Sequence, residues 1–462
     1  MKQLNVSCRA LLFVSLFVVV FHSACRKEKE IEIIPTPEEM QSASAEQARL
    51  IPDLVDSYVA ESWYDLLNRL IITTPGRTPP VAARDIGYTG IALYEAAAGG
   101  MFLHHSLAGR LDGLLSLPRR QPFRVYAPAI SANAALARIL KDLFANTSAA
   151  NFLSIDSLEA ANHTTYSLRL HAEINNRSRD FGYAIADAIF EWSKSDGGHE
   201  AYLDAFPSAY IPPVGDGLWT STPPLLQPAM FPYWGGNRTF LPGNGPGPID
   251  PPAPPAFSSQ TDSRFYKEAY TVFETVNNLT QEQKDIANYW ADGGGTFTPP
   301  GHLISIAAQV IRNRKLSLGQ AAGLLAAVGI GLNDAAIVCW RGKYNYNLLR
   351  PITYIRNYID SNWVSYIGTP PFPSYTSGHS TFSGTAAKIL SLRFGNQFAF
   401  TDSSKLIYGF TPRSFSSFEQ AAEEAAISRL YGGIHYEFDN DEGLRCGVLI
   451  ANNVARLRLW RN

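Results

Sequence analysis

Cysteine is scarce. The chain has four in 462 residues, and two of them, Cys8 and Cys25, lie in the N-terminal segment. That is too few for a disulfide scaffold. Cys339 and Cys446 belong to no CxxC pair, which argues against a structural zinc site. The sequence accommodates them equally as a pair formed after export or as two buried apolar residues. Charge of one sign is also lacking. Lys plus Arg is 39 and Asp plus Glu is 41, a formal charge of -2, so no basic excess points to nucleic acid. Beyond the N-terminus no apolar run is long enough for a transmembrane bundle, and no repeat of fixed period is visible. An apolar fraction of 46% excludes wholesale disorder, and the length suffices for one large core or two moderate ones.

What is present begins with an address. Lys2 and Arg9 precede an apolar run from Ala10 to Phe21, followed by His22-Ser23-Ala24-Cys25. Residues 1–24 read as a secretory signal. The small residues before Cys25 resemble the lipobox of bacterial lipoproteins, with His22 in place of the usual aliphatic residue. The expectation is lipid attachment at Cys25 and a body on the outer side of a bacterial membrane, in the periplasm or at the surface. An ordinary signal peptide is the alternative. Residues 25–49, charged and then Pro- and Ser-bearing, read as a tether.

Apolar spacing of three and four residues predicts helices over 54–72, 81–99, 127–144 and 169–194, giving an N-terminal helical bundle over 50–204. The stretch 205–262 differs. Fourteen prolines fall between Pro207 and Phe257, which excludes a helix or a central strand. Trp219, Phe231, Tyr233 and Trp234 are embedded in it, and disordered linkers are poor in aromatics. It reads as an ordered covering loop anchored by those rings. Helical pattern resumes at Arg264, giving a second bundle over 263–462. Strand-like alternation is scarce. The predicted fold is all-α, two packed helical bundles with long Pro-rich loops.

Three segments of the second half carry chemistry. In the first, Lys343 and Arg350-Pro351 are seven residues apart, which on one helix is two turns and a shared face. In the second, Ser377-Gly378-His379 stands where a turn gives way to a helix from about Ser380 to Phe394; a helix N-terminus favours an anion. The third is Ser428-Arg429, then His435 and Asp439, with Asp439-x-x-Glu442 forming a capping box for the last helix. Together they offer a lysine, two arginines, a hydroxyl and a helix N-terminus, a cradle for a tetrahedral oxyanion. They also offer two histidines, one to bond the central atom and one to move protons. His302, after Pro299-Pro300-Gly301 and near Asp292, reads as a helix start, with a place lining the pocket as the alternative.

Lys343-x6-Arg350-Pro351, Ser377-Gly378-His379 and Ser428-Arg429-x5-His435-x3-Asp439 resemble the signature shared by vanadium-dependent haloperoxidases, type 2 phosphatidic-acid phosphatases and bacterial acid phosphatases. Thr376 stands where that signature has Pro, a difference expected to affect loop rigidity. Three further stretches are similar to the haloperoxidase branch: Asp334 to Lys343 with Trp340, Trp290-Ala291-Asp292-Gly293, and the loop around Trp219 and Trp234. The resemblance implies that vanadate, or phosphate in its place, is held by Lys343, Arg350, Ser377, Gly378 and Arg429. His435 would be the vanadium ligand and His379 the acid/base, with Asp439 completing the catalytic set. Asp292 would pair with an oxyanion-binding arginine. Hydrogen peroxide and halide would be the substrates.

The signature also fits an acid phosphatase, in which His435 forms a phosphohistidine and His379 protonates the leaving alcohol of a phosphomonoester. A third reading is a non-catalytic exported lipoprotein. Phe372 and Trp340 match aromatic pocket walls of chloride-oxidising members. Because chloride is the harder halide to oxidise, bromide oxidation is expected first.

Overall fold

In the computed structural model the described residues are 50–460, apart from 52 and 100–104. The signal, the tether and Cys25 lie outside them. Ten of the thirteen α-helix starts among the described residues follow two chemical patterns. Ser148, Ser263, Thr280, Ser317, Ser377 and Ser417 each accept a backbone N–H from the first turn of the helix they precede. Other helices place proline in their first turn, where its missing N–H is not needed.

There are thirteen α-helices among the described residues. In the first half α1 (Tyr58–Thr73), α2 (Pro79–Ala98), α3 (Pro128–Leu143) and α5 (Ala172–Ser193) fall where periodicity predicts them. Helix α4 (Ala149–Ser167) was not expected. Its apolar residues form no stripe, and only Ile155 and Asn162 are buried. The second half holds α6 (Arg264–Asn277), α7 (Gln281–Tyr289), α8 (Thr298–Arg314), α9 (Leu318–Tyr346), α10 (Pro351–Tyr358), α11 (Gly378–Phe394), α12 (Phe418–Tyr431) and α13 (Glu437–Ala455). A short antiparallel hairpin, β1 (Phe400–Asp402) with β2 (Arg413–Phe415), interrupts the helical order.

Helix α9 is the axis of the core. It is long and apolar enough to cross a membrane, yet its apolar stretch is wholly surrounded by protein. It packs on α2 through small residues: a Cβ at Gly329 would stand 2.9 Å from the Ile86 carbonyl oxygen, and one at Gly90 would stand 3.0 Å from Ala326 Cα. Backbones this close leave no room for a side chain. One hydrophobic cluster runs from the first-half helices through α9 to α13. A second gathers Phe265, Tyr354, Tyr375, Tyr436 and Phe438 around α6, α10 and the start of α13.

The Pro-rich segment is an ordered cover. Trp219, Phe231 and Trp234 are buried, but Tyr233 is 61% exposed and is no anchor. Its neighbours in the 3-10 turn at Trp234 pack inward, which turns Tyr233 out. Backbone pairing adds to the rings: Trp219 N donates to Asn347 O and Met230 N to Pro371 O. Asp334 of α9 accepts from the Phe240 and Leu241 amides and from Asn244, while Arg341 pairs with Asp250. Cys339 and Cys446 are both buried and free, so they do not pair.

Candidate active site

The first correction concerns Lys343 and Arg350. They do not share a helix face. Helix α9 stops at Tyr346 and Asn347 takes a left-handed conformation, φ 45°, a role asparagine tolerates. Arg350 then caps α10, with Pro351 at its first position. The two cations converge because the chain breaks between them. The returning segment 372–376 fixes both. Lys343 Nζ donates to the carbonyls of Pro373 at 3.0 Å, Ser374 at 2.9 Å and Thr376 at 2.5 Å. Arg350 Nε donates to Phe372 O and its Nη1 to Ile434 O, each at 2.8 Å.

Ser377 caps α11, and its backbone N–H donates to Asp439 O at 2.9 Å, tying α11 to α13. Its hydroxyl oxygen accepts from Ser380 Oγ at 2.9 Å, so its own O–H is left to donate elsewhere. A Cβ at Gly378 would make ordinary contact, at 3.9 Å, with Cys339 Sγ, Phe382 and Trp340, so it would not clash there.

His435 lies between α12 and α13. Its Nδ1 is 2.8 Å from Asp439 Oδ2, and its Nε2 is 3.1 Å from Arg350 Nη1. A carboxylate can only accept and a guanidinium can only donate, so Nδ1 carries the proton and Nε2 presents its lone pair. Asp439 therefore orients the ring. It stands at the third position of α13 and accepts from the Tyr436 amide, rather than opening the helix as the capping box with Glu442 required. Ser374 also donates to Asp439 Oδ2, a role the sequence reading missed because Ser374 belongs to no motif. His379 Nε2 lies 3.3 Å from Arg429 Nη1, at the other side of the cradle. Burial and then the neighbouring cations push both imidazoles well below their ordinary range.

The charge arrangement is the decisive feature. Lys343, Arg350 and Arg429 are all buried, and among the described residues none has a carboxylate within ion-pair distance. Arg350 Nη2 has no hydrogen-bond partner there. Burial pushes both guanidinium groups down to about 10 and the Lys343 amine down from its usual value. Buried cations are normally paired. Three together, with a spare N–H, a spare hydroxyl and a helix N-terminus, fit a multiply charged oxyanion such as vanadate or phosphate. The wall beside them is aromatic. Trp340 and Phe372 have ring centroids 5.0 Å apart, and Phe372 lies 4.9 Å from both Lys343 Nζ and the Arg350 guanidinium carbon. Phe372, Gly378 and His379 are only partly buried and mark the open side.

Asp292 is the remaining correction. It makes no ion pair with Arg429; its partners are His302 at 2.8 Å and Lys405 at 2.5 Å. His302 also reaches Asp402 at 2.7 Å. His302 does sit near the start of α8, but as a buried charged residue rather than an incidental one. Lys405 and Asp402 come from the hairpin segment, where the sequence offers no motif.

With this geometry in view, the comparisons are informative. The family model of the VCPO second helical-bundle domain matches residues 323–459, which hold every cradle residue. Vanadium chloroperoxidase of Curvularia inaequalis is 22% identical where aligned, over 33% of this chain and 35% of its own. The chain thus spans about a third of that curated relative's length. The crystal structure of a bacterial vanadium-dependent iodoperoxidase superposes with a TM-score of 0.79 and 31% identity, covering 87% of this chain and 96% of that one. A bacterial vanadium-dependent chloroperoxidase shares the fold, with a TM-score of 0.63 and 18% identity over 84% and 94% of the two chains. The chain belongs to the vanadium-dependent haloperoxidase family.

Proposed function

We propose that this protein is a vanadate-dependent haloperoxidase that oxidises halide with hydrogen peroxide to hypohalous acid. The observation that carries the reading is the cluster of three buried, carboxylate-free cations facing a histidine whose Nε2 lone pair is exposed to them. Arg350, Arg429, the Ser377 hydroxyl and the Gly378 N–H would hold vanadate, Lys343, with its three N–H groups on backbone carbonyls, would add its charge, and His435 Nε2 would ligate it. Bound there, vanadate supplies Lewis acidity that activates peroxide toward halide without changing its oxidation state. Asp439 keeps the proton on His435 Nδ1, so the ligating nitrogen stays available. His379, on the open side and disfavoured from carrying charge by partial burial and the adjacent Arg429, is placed to take a proton from incoming peroxide and return it as hypohalous acid leaves. The Trp340 and Phe372 rings limit water on the open side.

The halide order we propose is iodide, then bromide, then chloride. Ease of oxidation falls in that order, and the chain is more similar to an iodoperoxidase than to the chloroperoxidases. Chloride turnover is expected to depend on Phe372 and to be lost in Phe372→His, because an imidazole there would compete for the proton of the acid/base histidine and bring in water. The deciding experiment assays one preparation two ways: halide oxidation with vanadate and peroxide, and phosphomonoester hydrolysis without vanadate. Hydrolysis without halide oxidation would replace this reading with a phosphatase acting through His435. Neither activity would leave a non-catalytic anion-binding protein.

A further inference from the structure

Behind the cradle lies a second cluster of buried charge that the mechanism above does not use. Asp292, His302, Asp402 and Lys405 are all at most 4% exposed. Both ring nitrogens of His302 face carboxylate oxygens, Asp292 Oδ2 and Asp402 Oδ2. Carboxylates only accept, so both nitrogens carry protons and the ring is an imidazolium. Asp292 Oδ1 is bound by Lys405, and Asp402 accepts further from Tyr289 and the Ser404 amide. Two cations and two anions cancel.

This cluster touches the cradle through the end of α7. The Trp290 indole stacks on the His302 ring, with centroids 4.6 Å apart and planes at 25°. The Trp290 backbone lies beside His379 and favours its protonated form, and the carbonyl of Ala287 accepts from Arg429 Nη2 at 3.4 Å. The Asp292 charge is also felt at both Arg429 and His379.

We propose that Lys405 and the His302 imidazolium serve as positioning residues that neutralise Asp292, so that its negative charge neither offsets the attraction of Arg429 for the oxyanion nor acts on His379 beside it. In this chain Lys405 takes the ion-pairing role toward Asp292 that the resemblance assigned to an oxyanion-binding arginine. The inference rests on the reading of the cradle as an oxyanion site.

The test is binding of inorganic phosphate by calorimetry, without vanadium, to the full chain and its Lys405→Met, Lys405→Arg and Asp292→Asn/Lys405→Met variants. One uncompensated buried charge acting on the site should weaken phosphate binding about tenfold in Lys405→Met, at an effective dielectric of about 20. Lys405→Arg should retain wild-type affinity. The double variant removes both charges of the pair and should regain it. If Lys405→Met does not fold, the comparison of Lys405→Arg with the double variant stands alone: both should bind like the wild type. A double variant that binds as weakly as Lys405→Met, or a folded Lys405→Met with unchanged affinity, would overturn the proposal. Failure of the wild-type protein to bind phosphate would instead count against the oxyanion site itself.

Discussion

Two neighbouring regions of this molecule bury charge in opposite ways. The cradle of Lys343, Arg350 and Arg429 is a set of cations with no carboxylate in contact, held by backbone carbonyls and faced by two neutral histidines. The cluster of Asp292, His302, Asp402 and Lys405 has a partner for every charge at 2.5–2.8 Å. Burial alone would have raised both carboxyls and lowered the imidazole. Instead the mutual charges hold both carboxyls below their usual range and carry His302 up to about 9. In the cradle the more distant charges of Asp439 and Asp292 are outweighed by burial, and the cations and histidines move toward their neutral forms. In a compensated cluster mutual attraction offsets much of the cost of burial, and removing one member is what destabilises. An uncompensated one is stable only with help from a ligand of opposite sign.

The largest break in this comparison should come from His435→Ala. It removes the nitrogen lone pair that Asp439 orients into the cradle and leaves Asp439 buried without its ring partner. Halide oxidation should fall to background at every vanadate concentration, and so should any phosphomonoester hydrolysis. Rate measurements with excess vanadate decide the matter. Appreciable turnover would remove His435 from the centre of the site.

The compensated cluster should show its effect in stability. His302→Gln can donate to one carboxylate but not both, and it removes a buried cation, so unfolding free energy should drop by about 3–5 kcal/mol. Denaturant unfolding of the two proteins at pH 7 measures this directly. The wild type should also have an alkaline limb. His302 titrates near 6.5 when unfolded and at about 9 when folded, so the folded state holds the proton more tightly. That contribution is full below the unfolded value and is lost as pH rises through about 9. His302→Gln should lack the limb. A loss below about 1 kcal/mol would place the cluster with ordinary polar groups.

Much of this was legible in the sequence, and the exceptions have physical causes. The signature residues of the cradle and the all-helical fold could be read because spacing within short motifs and apolar periodicity are local properties. The convergence of Lys343 and Arg350 was misread because seven residues fit one helix as well as a break, and only Asn347 with Pro351 marks the break. Asp402, Lys405 and Ser374 were invisible. Their partners lie 113, 113 and 65 residues away, and no motif links such distances. His302 was seen but assigned to a helix start, which is true of its position and silent about its two carboxylates. Tyr233 reads as an anchor in the sequence yet is exposed, because aromatic type predicts burial only on average.

The smallest predicted effect is the one whose sign separates the two regions. In the ligand-free protein Arg429 is held by a 3.4 Å contact to Ala287 O, a 3.1 Å bond to Ser428 Oγ and a 3.3 Å approach to His379. Burial pushes the guanidinium down to about 10, so its charge is a net burden there. Arg429→Met keeps most of the apolar volume and removes that charge. Ser428 Oγ retains its bond to Ala425 O, so little is left unsatisfied. Unfolding free energy without ligand should therefore stay level or rise by about 1 kcal/mol, the behaviour of a functional site that is strained without its ligand. Added phosphate should raise the melting temperature of the wild type and leave that of the variant almost unchanged. Differential scanning calorimetry with and without phosphate measures both quantities. A ligand-free loss of about 3 kcal/mol, the size expected for a broken buried pair, would mean that Arg429 is compensated within the protein and that the contrast between the two regions is false.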